Sequence, residues 1–330
     1  MLAVASTSQF AGLWWPVYHL QMCYSAMIKE ELRSYIRATG AEIDMEQFQE
    51  IFWNVAQGAK IAVPRAVERW FDDPGTDAER RIHDLIAQRR AAQAMAWQQE
   101  LFTQRRRLAD AERKLARKDT KAAAESKRIA GNKIEALVTK LGRLQDSRRH
   151  PADGRIFPMH YAPIVINDSG RKLIRLARYH CRLNGKNPAV DQQFPGLYNA
   201  RRDNIEKYWS SAFGTSHALL LADSFYENVN RDGRNAVLHF LPRPADTLYI
   251  ACLYSTWVHP TTGEKLLSFA AITDEPPPEV AATGHDRMII NIKPGHLDAW
   301  LTPEGYSREA LQAILSDRQE AYFEHEVMAA

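Results

Sequence analysis

The side chains that could do nucleophilic and proton-transfer chemistry are scattered along this chain. It carries three cysteines, Cys23, Cys181 and Cys252, with no CxxC pair. An odd count without pairs argues against a disulfide framework and against a structural zinc site. Reduced thiols in a cytosolic setting are the expectation. Cys23 stands directly after Met22. Ser224-Phe225-Tyr226-Glu227-Asn228 follows the apolar run 217–222, which predicts a strand ending near Glu227. Gly284-His285-Asp286-Arg287-Met288 follows Glu275-Pro276-Pro277-Pro278 and precedes another apolar run. Tyr198-Asn199-Ala200-Arg201-Arg202 reads as a loop before a helix. A thiol, a carboxylate and an imidazole brought together perform nucleophilic and proton-transfer chemistry. Each alone says little: a lone histidine is more often hydrogen-bonded structure, and a glutamate at a strand end is usually just solvated. His150, His160 and His180 have no ligand spacing with Cys181, so no metal is expected. Neither GxGxxG nor a Walker A sequence occurs, so no nucleotide cofactor is expected.

Elements must bring such residues together. The chain has 330 residues, 45% hydrophobic and 25% charged, enough for a folded body of about two domains or one with a large insertion. No window of about 18 apolar residues predicts a membrane span. Residues 25–56 read as two helices, the first capped by Ser25 and the second by Asp44 with Gln47 three residues on. Residues 79–150 hold 19 Lys/Arg against 9 Asp/Glu, while the rest of the chain is net acidic. Within them Leu101, Leu108 and Leu115 recur every seven residues, and Ile134, Leu137, Leu141 and Leu144 recur at three and four. That spacing predicts a coiled-coil hairpin turning near Asp119-Thr120. It is either a basic arm for nucleic acid phosphates or a hairpin that is merely solvated.

Beyond Pro151 short β-rich runs follow, at 161–166, 172–180, 217–223, 236–241, 248–256 and 266–273. Helices are expected at 203–212 and 307–323. This is an α+β pattern of mainly antiparallel strands, without regular βαβ alternation. Trp209 and Phe213, at i and i+4, read as core rather than a base-stacking platform. The domain plan is a segment 1–22, a globular body from 23–78 and 150–330, and a basic helical insertion at 79–149. Residues 1–22 contain no Lys or Arg, which argues against a secretory signal. Three readings stand for them: translation starting at Met22, a leader that is cut off, or an N-terminal arm packed on the body.

Several of these residues fall in one order: Met22-Cys23, Asn199-Ala200-Arg201, Phe225-Tyr226-Glu227, Ser268-Phe269-Ala270-Ala271-Ile272-Thr273, and His285-Asp286-Arg287-Met288. That order resembles the SRAP family, the SOS response-associated peptidases or abasic site processing proteins, over residues 22–56 and about 150–325. The resemblance implies a mature chain beginning at Cys23 that binds single-stranded DNA carrying an abasic site and crosslinks to it covalently. It implies Glu227 as general acid/base, His285 as a proton shuttle at the sugar hydroxyl, and Asn199 as the group positioning Cys23 and the sugar. Arg201 matches the arginine that holds a backbone phosphate. Arg202 beside it and Pro163, in Tyr161-Ala162-Pro163, are further DNA-contact expectations. The chain departs from the family pattern at Tyr24-Ser25 after the cysteine, at Asn228 after the glutamate, at Ile289 after the methionine, and in its long basic insertion.

The readings that follow are abasic-site capture with a lyase step, a cysteine autopeptidase removing residues 1–22, and a non-catalytic nucleic-acid-binding protein. The expected setting is cytoplasmic and nucleoid-associated on DNA, as a monomer, with no cofactor and no membrane.

Overall fold

The computed structural model describes residues 25–231 and 234–328, so Cys23 lies outside the described residues. In chain order the elements are β1 (Ser25–Ile28), α1 (Leu32–Thr39), β2 (Glu42–Ile43), α2 (Met45–Ala56), α3 (Arg65–Glu68), α4 (Asp77–Arg117), α5 (Lys121–Gln145), β3 (Arg155–Ile156), β4 (Tyr161–Asp168), β5 (Arg171–Tyr179), α6 (Val190–Gln193), β6 (Asn199–Arg201), β7 (His217–Arg231), β8 (Arg234–Arg243), β9 (Leu248–Val258), β10 (Lys265–Asp274), α7 (Pro278–Ala281), β11 (Met288–Ile289), α8 (Leu297–Leu301), α9 (Arg308–Ser316) and β12 (Tyr322–Val327). The α+β class and the mainly antiparallel core are as expected. None of the described helices is long and apolar enough to cross a membrane.

Strand pairing closes a ring. β10 lies parallel to β5, β5 antiparallel to β4, β4 to β7, β7 to β9, and β9 back to β10. The first half of β7, Ala218 to Ala222, is buried throughout because the strand is covered on both faces. Its second half leaves the ring. Phe225 to Arg231 pair with β8, and β8 pairs with β12, while β1 takes the other edge of β7 and β3 pairs with β1. The changeover falls at a β-bulge: Met27 faces Ser224 and Ile28 faces Ala222, which leaves Asp223 as the extra residue. Lys29 Nζ holds that aspartate at 2.7 Å.

Four expectations need correction. Ser25 does not cap a helix; it opens β1, because Ala26 and Ile28 bury against β7 and this pairing overrides local propensity. Glu227 is not at a strand end, since the polar Asp223-Ser224 step is the bulge and the strand runs on to Arg231. Residues 203–212 form no α-helix. A 3-10 turn at Arg202–Asn204 gives way to successive turns that drop Trp209 and Phe213 into the core. The closing helix ends at Ser316; residues 317–321 lead away from it, and Tyr322, expected in the helix, opens strand β12 on the edge of β8. Asp44 does cap α2, accepting from the Gln47 backbone N–H at 3.1 Å, but the Gln47 side chain brackets the Leu176 peptide instead of closing a capping box.

The basic segment is an antiparallel helical pair, turning at 118–120 with Thr120 capping α5. Gln104 and Ala111 on α4, and Ala123, Ala130 and Leu137 on α5, are buried at seven-residue spacing along the seam. The recurring leucines flank it half-buried. The root is fixed to the body: Ile82 and Ile86 join the Phe48, Phe52 and Phe71 cluster. Glu68, buried, holds Arg89 and accepts from Arg90 at 2.7 and 3.1 Å.

His217 shows how the start of β7 is locked, and it supports a pH prediction. Its ring lies 3.9 Å from the Trp300 ring, donates from Nδ1 to the Trp300 carbonyl at 3.1 Å, and accepts from the Gly214 N–H at 2.9 Å. Burial, against the pull of the Trp300 carbonyl, drives its pKa down to about 3. A histidine held neutral contributes stability that is complete above its unfolded value of about 6.5 and is lost as pH falls toward the folded one. Over that whole span the loss is about 5 kcal/mol. Urea midpoints at pH 7 and pH 4 should therefore differ less in His217→Gln than in the parent, although the variant is less stable at both. Equal pH differences would remove His217 from the acid limb.

Candidate active site

Two strands carry the candidate residues. β10 is the spine of one side: Ala271 faces Asn199 and Thr273 faces Arg201 in β6, while Asp274 faces Met288 in β11. Two of the sequence motifs therefore hang on one strand. The third, Phe225-Tyr226-Glu227, lies on β7 just past the bulge, and β9 ties β7 to β10.

Glu227 and His285 meet. Both are fully buried, and His285 Nε2 lies 3.0 Å from Glu227 Oε2. Gly284, at φ +90°, makes the turn that aims His285 inward. His285 Nδ1 is 2.6 Å from the Arg287 carbonyl, which can only accept, so Nδ1 carries a proton and Nε2 is the nitrogen that exchanges one toward Glu227. Burial alone would lower the His285 pKa. The hydrogen bond and charge of Glu227, then the Arg287 carbonyl and Asp286, outweigh it and raise it. The arrangement can store a proton and hand it over.

Asn199 is buried on β6, with Tyr179 Oη donating toward its Oδ1 at 3.5 Å. Tyr179 stacks on Phe269 at 5.1 Å and meets Tyr198 edge-on at 5.5 Å, which fixes the phenol. Arg201 is half-exposed and grips Asp203 at 2.7 Å; Asp203 also accepts from Arg287 at 2.8 Å. The Arg201 and Arg287 guanidiniums hold the Asp203 carboxyl ionised, its pKa lowered to about 2 in spite of partial burial. Arg201 and Arg287 with Asp203, and Asp286 close by, form a network of charges beside the buried pair.

The two remaining DNA-contact expectations fall elsewhere. Arg202 ties β6 to the end of β10 and to α9, donating to Asp274 at 3.0 Å, to Gln312 Oε1 at 3.0 Å and to Ser316 Oγ at 2.6 Å. Its guanidinium serves the fold. Pro163 is buried in β4 opposite Leu176, away from the surface. Cys181 and Cys252 are buried too; burial pushes the Cys181 thiol up to about 12 and Cys252 higher still, so neither is a nucleophile at neutral pH.

Sequence reading passed over Arg155. It sits on β3 opposite Met27, donates to Ser25 Oγ at 3.1 Å, and lays its guanidinium 3.7 Å from the centre of the Tyr226 ring. Tyr226 in turn stacks on His239 at 4.2 Å. The stack supports the strand that presents Glu227, from the opposite face. Only the change of texture after Pro151 hinted that this stretch rejoins the body.

A closed, mainly antiparallel barrel buries a carboxylate of the strand leaving it against an imidazole from the turn before β11, an arrangement that can do acid/base work. The chain belongs to the SOS response associated peptidase (SRAP) family, whose profile matches residues 120–329. It is similar to the abasic site processing protein YoaM of Bacillus subtilis (strain 168), 30% identical over 134 residues, 38% of this chain and 58% of YoaM. The chain thus aligns with a little over half the length of that relative. Among solved structures, a Bacteroides thetaiotaomicron protein superposes with a TM-score of 0.46 at 14% identity, over 53% of this chain and 78% of its own. A Bordetella bronchiseptica protein does so at 0.44 and 18%, over 54% and 88%.

Proposed function

We propose that this protein captures abasic sites in single-stranded DNA, with Cys23 as first residue of the mature chain. The observation that carries the reading is the buried pair of Glu227, on the strand that β1 pairs with, and His285, from the turn before β11, 3.0 Å apart. Ser25 in β1 faces Tyr226, the neighbour of Glu227, and covalent geometry keeps the Cys23 Cα within about 7 Å of Ser25. Family membership and the likeness to YoaM support DNA damage as the setting.

The chemistry needs a terminal cysteine. An abasic sugar opens to an aldehyde at C1′. The Cys23 α-amine attacks that carbon, and the carbinolamine loses water to give an imine. The thiol sulfur then adds to the imine carbon, its proton passes to nitrogen, and a five-membered thiazolidine closes with one water released overall. The α-amine has a pKa of about 7.7–8.0, so roughly a tenth to a fifth is neutral at pH 7. Glu227 assists ring opening and dehydration by proton transfer, and His285 serves the sugar hydroxyl. Asn199 orients the amine and the sugar, and Arg201 takes a flanking phosphate with its planar fork. The imine also permits β-elimination, which is the lyase step.

The test is an oligonucleotide with one abasic site, mixed with three forms: protein beginning at Met1, protein beginning at Met22, and the latter with Cys23→Ala. Denaturing gels should show a shifted band from the Met22 form and none from Cys23→Ala. A band from the Met1 form, with residues 1–22 gone by intact mass, would add leader removal to the reading. A band from Cys23→Ala, or none from a folded Met22 form shown to have lost Met22, overturns the proposal.

A further inference from the structure

We infer that the α4–α5 hairpin is a second nucleic-acid contact, an arm that grips the phosphates of duplex DNA beside the single-stranded lesion. The inference extends the abasic-site reading to the form of DNA engaged. It starts from charge that the site leaves unused. Residues 101–133, the outer part of the hairpin, hold 11 Lys/Arg and 4 Asp/Glu. Three of those carboxylates are taken by neighbours: Asp110 by Arg113, Glu112 by Lys127 and Glu125 by Arg128. No carboxylate of the described residues lies within ion-pair distance of Arg105, Arg106, Lys114, Arg117, Lys118 or Lys121.

The arm also has a place to receive a phosphodiester. A cleft of ≈ 570 Å³ opens between the helices near the turn, lined by Arg106, Arg107 and Lys114 on one side and by Thr120, Ala123 and Ser126 on the other. Asp110 is the one carboxylate in its wall, and Arg113 neutralises it. Small residues on α5 leave the space; cations and hydroxyls supply the donors that phosphate oxygens accept.

Length selects duplex. α4 is fixed to the body as far as Arg90, through Glu68. From there to Arg117 a helix rises about 40 Å, the length of about a dozen base pairs at 3.4 Å each. A straight arm can follow a stiff rod over that span, whereas a single strand bends away from it. The root lies beside the candidate site: α5 leads through Asp153, which Arg143 holds at 3.0 Å, straight into β3 and Arg155. An association of two such arms would set like charge against like charge. The exposed Met95 and Phe102 stand a heptad apart on α4, with Arg106 5.9 Å from the Phe102 ring.

The probes carry no lesion, so the result does not depend on the capture chemistry. A fluorescein-labelled 30-base single strand and a partial duplex with 15 paired bases are titrated with full-length protein at several salt concentrations, and binding is read by anisotropy. The parent should prefer the partial duplex. Arg106→Gln/Arg107→Gln/Lys114→Gln should lose that preference, and its slope of log K against log salt should fall by about 3, near 0.9 for each phosphate no longer neutralised. Arg106→Lys/Arg107→Lys, which keeps the charge, should retain most of the slope. Gln is a good helix former, and matching circular dichroism melts establish that the hairpin is intact. An unchanged slope, equal binding of both probes by the parent, or a stable dimer that excludes DNA by light scattering overturns the inference.

Discussion

Glu227→Gln should slow adduct formation on an abasic oligonucleotide by about 10²–10⁴-fold, the range a positioned acid/base group supplies. Gln keeps the shape and the buried position but cannot carry the proton. It also changes its neighbour. Burial pulls the His285 pKa down, and the Glu227 hydrogen bond and charge hold it up; without the carboxylate the balance tips to burial. The rate profile of the parent should fall as pH rises through the raised His285 value, and in the variant that limb should move to lower pH. Stability follows the same sign. A raised histidine contributes stability fully present below its unfolded value of about 6.5 and lost as pH rises through the folded one. Single-turnover gel time courses across pH measure both effects. A rate within threefold of the parent, in a variant with native near-ultraviolet circular dichroism, would remove Glu227 from the chemistry.

The site could be read from the sequence only where local order carries it. The β10 run Lys265–Asp274 is the strand expected at 266–273, buried without a break from Ser268 to Thr273, and the spacing of Leu101, Leu108 and Leu115 located the hairpin. What the sequence hid was pairing. Ser25 resembles a helix cap because Ser is good at that, yet the exposed edge of β7 offers Ala26 and Ile28 a better burial. Glu227 resembles the end of a strand because Asp223 and Ser224 interrupt the apolar run, yet a bulge absorbs one residue and the strand continues. Arg202 and Arg201 are indistinguishable in sequence. Only the arrival of α9, more than a hundred residues on, commits the first to Gln312 and Ser316 and leaves the second half-exposed. Non-local partners decide each of these cases.

Asp153→Ala should cost about 3–5 kcal/mol, the scale for removing one member of a buried charge cluster. Asp153 is buried and accepts from Arg69 at 2.8 Å, from Arg143 at 3.0 Å and from the His150 N–H at 3.0 Å. The change strands a mostly buried Arg69 without its countercharge. The consequence reaches the candidate site because a single residue, Gly154, separates Asp153 from Arg155 of the Tyr226 stack. The Gly154 carbonyl accepts from Ile28, and a Cβ there would stand 3.2 Å from the Ile28 oxygen, so the chain passes tightly against β1. Arg155 follows, bonded to Ser25 and laid over Tyr226. Loosening Asp153 therefore loosens β1 and the face of β7 opposite Glu227. Adduct formation in Asp153→Ala should slow by more than the unfolded fraction explains, and Asp153→Asn, which keeps acceptors for Arg69 and the His150 N–H, should recover part of both losses. Urea titrations give the stability and single-turnover assays well below the melting temperature give the rate. A destabilised variant that reacts at the parent's rate would show that the arm's root and the site are mechanically separate.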